Sequence, residues 1–362
     1  MIKNKILVGT TKGLVVIENR GKGWRIEKVH FSGLPVTIVY VDERTNNWWA
    51  GLAHRHWGQK LHYSEDEGKN WVEIAPPKYP QNAEIKPGKP ATLKKIWSIN
   101  HAGSDKPGAM WLGTEPGGLF YSSGTGKDFQ LVESLWNHPS RKDEMQWFGA
   151  GRDFPFLHSI VVDPRDSDHV YIAVSCAGVF ETNDGGSSWE PKNNGLIATY
   201  LPNPSVEVGH DPHLLIACKA NPDVLWQQNH CGVFRSENGG EFWENVTDKN
   251  GLAEYGFALA IDHENAERAW VIPAMSDKQR VPVDLALCVC RTEDSGKTWE
   301  ALRKGLPQEF CFDIAFRHSI DINDEKLVFG TTTGNLYFSK DFGNNWNTLS
   351  NNFSRIDCVV FA

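Results

Sequence analysis

Six of the thirteen histidines in this chain, His54, His56, His158, His210, His213 and His230, are candidates for one shared site, with arginine, carboxylate and tryptophan residues close by in sequence. His54, Arg55, His56 and Trp57 are consecutive, Arg152 and Asp153 shortly precede His158, and His210 and Asp211 precede His213. His230 adjoins Cys231, Glu115 opens a Pro-Gly-Gly turn, and Arg280 stands in the long segment 274–284. Three chemistries suit such groups. Asp211, Asp153 and Glu115, with Asp313 as a further carboxylate, are candidates for a glycosidase pair, which needs two carboxyl groups about 5 to 9.5 Å apart with one held protonated. A divalent metal would take neutral imidazoles from several segments, with His158, His213 and His230 as ligands and His54 and His56 in reserve. A binding site without turnover would use His54, His56, His158, His210, His213 and His230, with Arg55, Arg152 and Arg280 forking onto a carboxylate or phosphate. The structural alternative is that these histidines and tryptophans pack and seal a central opening.

What must bring them together is a repeat. Ser64 to Trp71, Thr182 to Trp189, Thr292 to Trp299 and Ser339 to Trp346 share one pattern: a hydroxyl residue, then an Asp, a Gly and a Trp at fixed spacing. Ser236 to Trp243 has Asn238 in the acidic slot, and Ser122 to Phe129 and Glu18 to Trp24 are eroded copies. A motif returning about every 47 to 60 residues means one supersecondary unit used repeatedly. Its hydroxyl and carboxylate can accept main-chain N–H groups, its Gly supplies positive φ, and its Trp is an apolar plug, so the motif reads as a structural corner. Apolar runs such as 170–174 and 179–182, split by small residues, read as strands. Runs at 158–163, 213–218, 257–262 and 312–317 supply an innermost strand.

Four strands in each of about seven units predict an all-β, seven-bladed β-propeller of antiparallel blades occupying residues 1–362 as one domain. The segment from Lys3 matches a second strand and that from Arg355 a first strand, so both chain ends should complete one blade. The loops into the innermost strands and those joining second to third strands should share the mouth of the central channel. The segments named above lie in those loops, with the longest at about 76 to 94, 134 to 156 and 191 to 211.

Composition narrows the partners. A net charge of −8 argues against a general nucleic-acid binder. No apolar run approaches the 18 or so residues that span a bilayer, and the N-terminal residues do not read as a signal segment. Seven cysteines without scaffold spacing are expected as reduced thiols in a cytoplasmic protein, with Cys288 and Cys290 as core residues or a two-residue metal clip. The expected partner is a small-molecule or carbohydrate ligand. A protein partner is compatible, and no cofactor is required unless the histidines hold a metal.

The turns from Ser64, Thr182, Thr292 and Ser339 resemble the Asp-box, or BNR repeat, of sialidases and other propellers. The stretch from Trp147 through His158 and Val206 to His213, and on to Trp226 to Ser236, resembles bacterial sialidase-like BNR-repeat glycosyl hydrolases over essentially the whole chain. The resemblance implies a propeller with hydrolysis of a glycosidic bond as its activity. True sialidases have six blades and an Arg-Ile-Pro motif, which this sequence lacks, so sialidase chemistry is not implied. Related seven-bladed proteins include xyloglucan-degrading enzymes, sorting receptors and photosystem-assembly factors, so fold alone fixes no reaction.

Overall fold

Short β-branched and aromatic runs separated by Gly, Asn and Asp have nowhere to bury their apolar faces except against one another, and they do so as sheets. The computed structural model describes residues 3–362 except 55, 125, 143–145, 150 and 250. Among the described residues the strands form seven four-stranded antiparallel sheets and one two-stranded hairpin. The fold is an all-β, seven-bladed β-propeller. The chain divides into two compact units, Met1–Val39 with Ile216–Gly239 and Trp243–Ala362, and Tyr40–Leu215 with Gly240–Phe242.

In the first unit both chain ends share a blade, as the sequence predicts. Ile356–Phe361 pairs with Lys5–Thr10, which pairs with Gly13–Asn19 and then Trp24–His30. Leu7 stands opposite Val360 on one side and Val16 on the other. The Asp321 carboxylate accepts the Phe361 amide at 2.7 Å, tying this blade to the one that begins with Ile320–Asn323. Between the last two blades of the chain Trp270, Phe329 and Trp346 are buried in one apolar cluster.

One strand differs from expectation. The run 312–317 is not a strand; the innermost strand of its blade is Ile320–Asn323. The Asp313 side chain accepts from Thr331, Thr333 and Asn335, and Ile314 exchanges bonds with Thr332, so side chains rather than a ladder satisfy this segment. A turn closed by Ser319 on Phe316 then delays the strand.

In the second unit the blade Lys95–His101, Met110–Glu115, Leu119–Ser122 and Gln130–Leu131 neighbours the blade Phe156–Asp163, Asp166–Ser175, Gly178–Thr182 and Glu190–Pro191. Trp111, Leu157, Ile172, Phe180 and Trp189 pack in the core between them. The long loops carry small elements of their own: a hairpin of Glu84–Lys86 and Lys89–Pro90, a helical turn Glu133–Trp136 and a 3-10 turn Pro139–Lys142.

The recurring corners close over four residues rather than the two a simple side-chain turn would span. The hydroxyl oxygens of Ser64, Thr182, Thr292 and Ser339 accept from the amides of Gly68, Gly186, Gly296 and Gly343 at 2.8 to 3.0 Å. The Asp of each corner accepts the amide four residues on, as Asp184 does from Ser188 at 2.9 Å. Those glycines have φ near +79 to +89°, where a Cβ is strained. The carboxylates are fully used by the turns, so they are structural.

Two outcomes follow. Removing residues 355–362 strips the first strand from the shared blade and uncovers Ile6, Leu7 and Val8 of the strand it paired with, so the truncated chain should lose its cooperative melting transition while the full chain keeps it. The Asn70 amide holds Asp66, and the Ser188 hydroxyl holds Asp184, down at about 2 from an ordinary 3.8. A depressed acid stabilises the fold above its unfolded value and loses that contribution as pH falls through its folded value. Melting temperature should therefore drop between about pH 4 and pH 2, and Asp184→Asn should flatten part of that drop.

Candidate functional site

The strand Pro212–Ala217 begins where two acid–base groups flank a proline. Asp211 and His213 are almost wholly buried, at 3% and 2% exposure. The Ser175 hydroxyl, at the end of Asp166–Ser175, donates to Asp211 Oδ1 at 2.6 Å, and His213 Nε2 lies 3.4 Å from Asp211 Oδ2. The proline between them is fixed from the neighbouring blade: His158 Nε2 meets the Pro212 carbonyl at 2.8 Å. A carbonyl only accepts, so Nε2 carries the proton. Nδ1 then accepts from Ser159 Oγ at 2.9 Å, while that same oxygen takes the Leu215 amide at 3.1 Å. His158 is thus a clasp between two strands.

His230, which follows the strand Leu225–Asn229, is half-buried. The metal trio expected from the sequence was His158, His213 and His230. His158 is not open to a metal, because both its ring nitrogens are occupied by protein partners.

A second constellation surrounds Glu115. One of its carboxylate oxygens takes three donors: Arg152 Nη2 at 2.7 Å, Arg152 Nε at 2.9 Å and Trp97 Nε1 at 3.1 Å. Trp97 stacks on Phe156 with centroids 4.2 Å apart, Lys95 lies 3.6 Å over its ring, and Arg152 sits 5.4 Å from it. Phe156 is 5.8 Å from the His158 ring, so aromatic contact links the Glu115 group to the clasp. A saturated oxygen of this kind holds Arg152 in place while leaving the guanidinium partly exposed.

The remaining candidates fall into different roles. His54 Nδ1 accepts the amides of His56 and Trp57, folding the loop into a turn that leaves the Trp57 indole 75% exposed. Arg55 lies outside the described residues. Asp153 is solvent-exposed. His210 donates from Nε2 to the Val206 carbonyl at 2.7 Å, and burial pushes its pKa down, which makes it a neutral packing residue. Arg280 is exposed and bonds the Asp277 carbonyl. Asp313 is committed to the threonine and asparagine contacts described above. Cys288 and Cys290 are buried together; their shared hydrogen bond pushes Cys288 down and Cys290 up. Ser175 is the residue that sequence reasoning did not single out as a partner of Asp211; its position at the end of a second strand was the available signal.

No family model matches the chain. It is 27% identical over 201 residues to the oligoxyloglucan-reducing end-specific xyloglucanase of Emericella nidulans, a match covering 49% of this chain and 22% of that protein. An ancestral GH74 enzyme superposes with a TM-score of 0.59 at 15% identity, over 88% of this chain and 39% of the other. YCF48 bound to D1 peptide superposes with a TM-score of 0.55 at 14% identity, over 92% and 89%. The chain therefore spans about a fifth of the curated relative's length. Together these define a β-propeller with glycoside hydrolase-like relatives. No helix among the described residues is long and apolar enough to cross a membrane.

If His158 is the clasp, His158→Ala leaves the Pro212 carbonyl unpaired beside a cavity and should lower the free energy of unfolding by about 2–4 kcal/mol in urea denaturation. A loss below about 0.5 kcal/mol would assign the strand contact to the backbone alone.

Proposed function

We propose that this chain is a glycoside hydrolase of the Asp-box type that acts on a plant-type or related β-glucan oligosaccharide. Asp211, oriented by His213, is one carboxyl group of the pair the reaction needs, and Glu115, held by Arg152, is the other. The exposed Trp57 indole offers a face on which a sugar ring can stack, its amphipathic edge suited to a wet carbohydrate surface. The single observation that carries this reading is the buried Ser175–Asp211–His213 group in a chain whose curated relative is a xyloglucanase. A carboxyl group withdrawn from water and held by a hydroxyl and an imidazole has the fixed orientation that acid–base catalysis needs.

Turnover of xyloglucan oligosaccharides and aryl β-glucosides should fall at least about 100-fold in Asp211→Asn while Trp57→Ala chiefly raises KM. Unchanged turnover in Asp211→Asn, or no turnover by the parent on any glycoside tested, contradicts the hydrolase reading.

A further inference from the structure

A guanidinium whose plane is fixed by its neighbours and which keeps access to solvent is a ready anion receptor, because its fork matches a carboxylate. Arg141, half-buried in the turn Pro139–Lys142, is held in this way. It lies between two indoles, 4.1 Å from the Trp136 ring and 4.3 Å from the Trp147 ring. Among the described residues its hydrogen-bond acceptor is the Gly117 carbonyl at 2.7 Å, and it forms no ion pair. Burial pushes the guanidinium down to about 10, with Tyr79 opposing the shift.

A cavity of about 710 Å³, within the range of small-molecule sites, lies between the hairpin segment 80–87 and the helical segment 131–142. A second cavity of about 770 Å³ shares His138 and Lys142 with it. The charged residues lining the first are Lys86, Arg141 and Lys142 against Glu84 and Glu133. Three positive and two negative groups leave a formal +1 over the described lining. His138 is counted neutral because burial lowers its pKa, and its Nδ1 lies 2.7 Å from Ser140 Oγ. Asn82 and Asn137 add amide donors and acceptors to the wall.

We propose that this cavity binds a small hydroxylated monocarboxylate, a sugar acid of one or two rings, with its carboxylate on Arg141. The forked guanidinium matches a carboxylate, and its flanking indoles fix the fork, so little ordering is needed on binding. A +1 lining favours a monoanion over a dianionic phosphate. Asn82, Asn137 and Glu133 face the hydroxyl groups. None of these residues belongs to the Asp211 or Glu115 constellations, so the site stands apart from the hydrolase reading.

Calorimetric titration of the full chain with sodium glucuronate, glucose and inorganic phosphate tests this. Glucuronate should bind at least about tenfold tighter than either of the others, Arg141→Met should weaken it at least about tenfold, and Glu133→Gln should tighten it about threefold. Asp211→Asn should leave all three titrations unchanged, which separates this site from catalysis. Equal binding of glucose, tighter binding of phosphate, no binding of glucuronate, or full affinity in Arg141→Met would overturn the proposal. A purely structural Arg141 would instead lower the melting temperature on substitution and leave glucuronate affinity as it was. Glu133→Gln keeps the test decisive if Arg141→Met does not fold.

Discussion

The contact between His158 Nε2 and the Pro212 carbonyl holds the candidate site in register. Proline has no amide hydrogen, so its residue cannot donate to a neighbouring strand, and a carbonyl flanked by Asp211 and His213 would be left to water or to nothing. An imidazole wholly shielded from solvent takes that role. Because Ser159 in turn receives the Leu215 amide, the clasp grips the strand at two points, and the side chains on either side of the proline inherit its rigidity. Precision at Asp211 is therefore a property of the neighbouring blade as much as of its own.

The same logic distributes structural and chemical work among the carboxylates. Those in the repeated corners are consumed by amides and hydroxyls, as at Asp184, and Asp313 is consumed by a local network. Glu115 places three donors on one oxygen and keeps Arg152 at the surface. Asp211 differs in having an imidazole and a hydroxyl as neighbours, groups that can move protons. Local hydrogen bonding, rather than residue type, sorts the acids.

The blades were legible in the sequence because strand periodicity, positive-φ glycines and a plugging tryptophan are local signals that repeat. The shared blade of the two chain ends was legible for the same reason. The strand expected at 312–317 failed because Asp313 and Thr332 satisfy that backbone through side chains, a competition that hydrophobic pattern does not reveal. Within the site, His213 lies beside Asp211, yet His158 and His210 hold carbonyls. A histidine's role depends on what faces each ring nitrogen, and spacing in a chain carries no record of that. Arg141 escaped attention because its significance lies in the indoles that fix its plane.

The direct test of the clasp is the tautomer of His158, read from long-range nitrogen–proton correlations of the imidazole in labelled protein at neutral pH. The account predicts a proton on Nε2, with Nδ1 unprotonated and Ser159 donating to it. A proton on Nδ1, or a ring exchanging freely between tautomers, would contradict it and with it the fixed placement of Asp211 and His213.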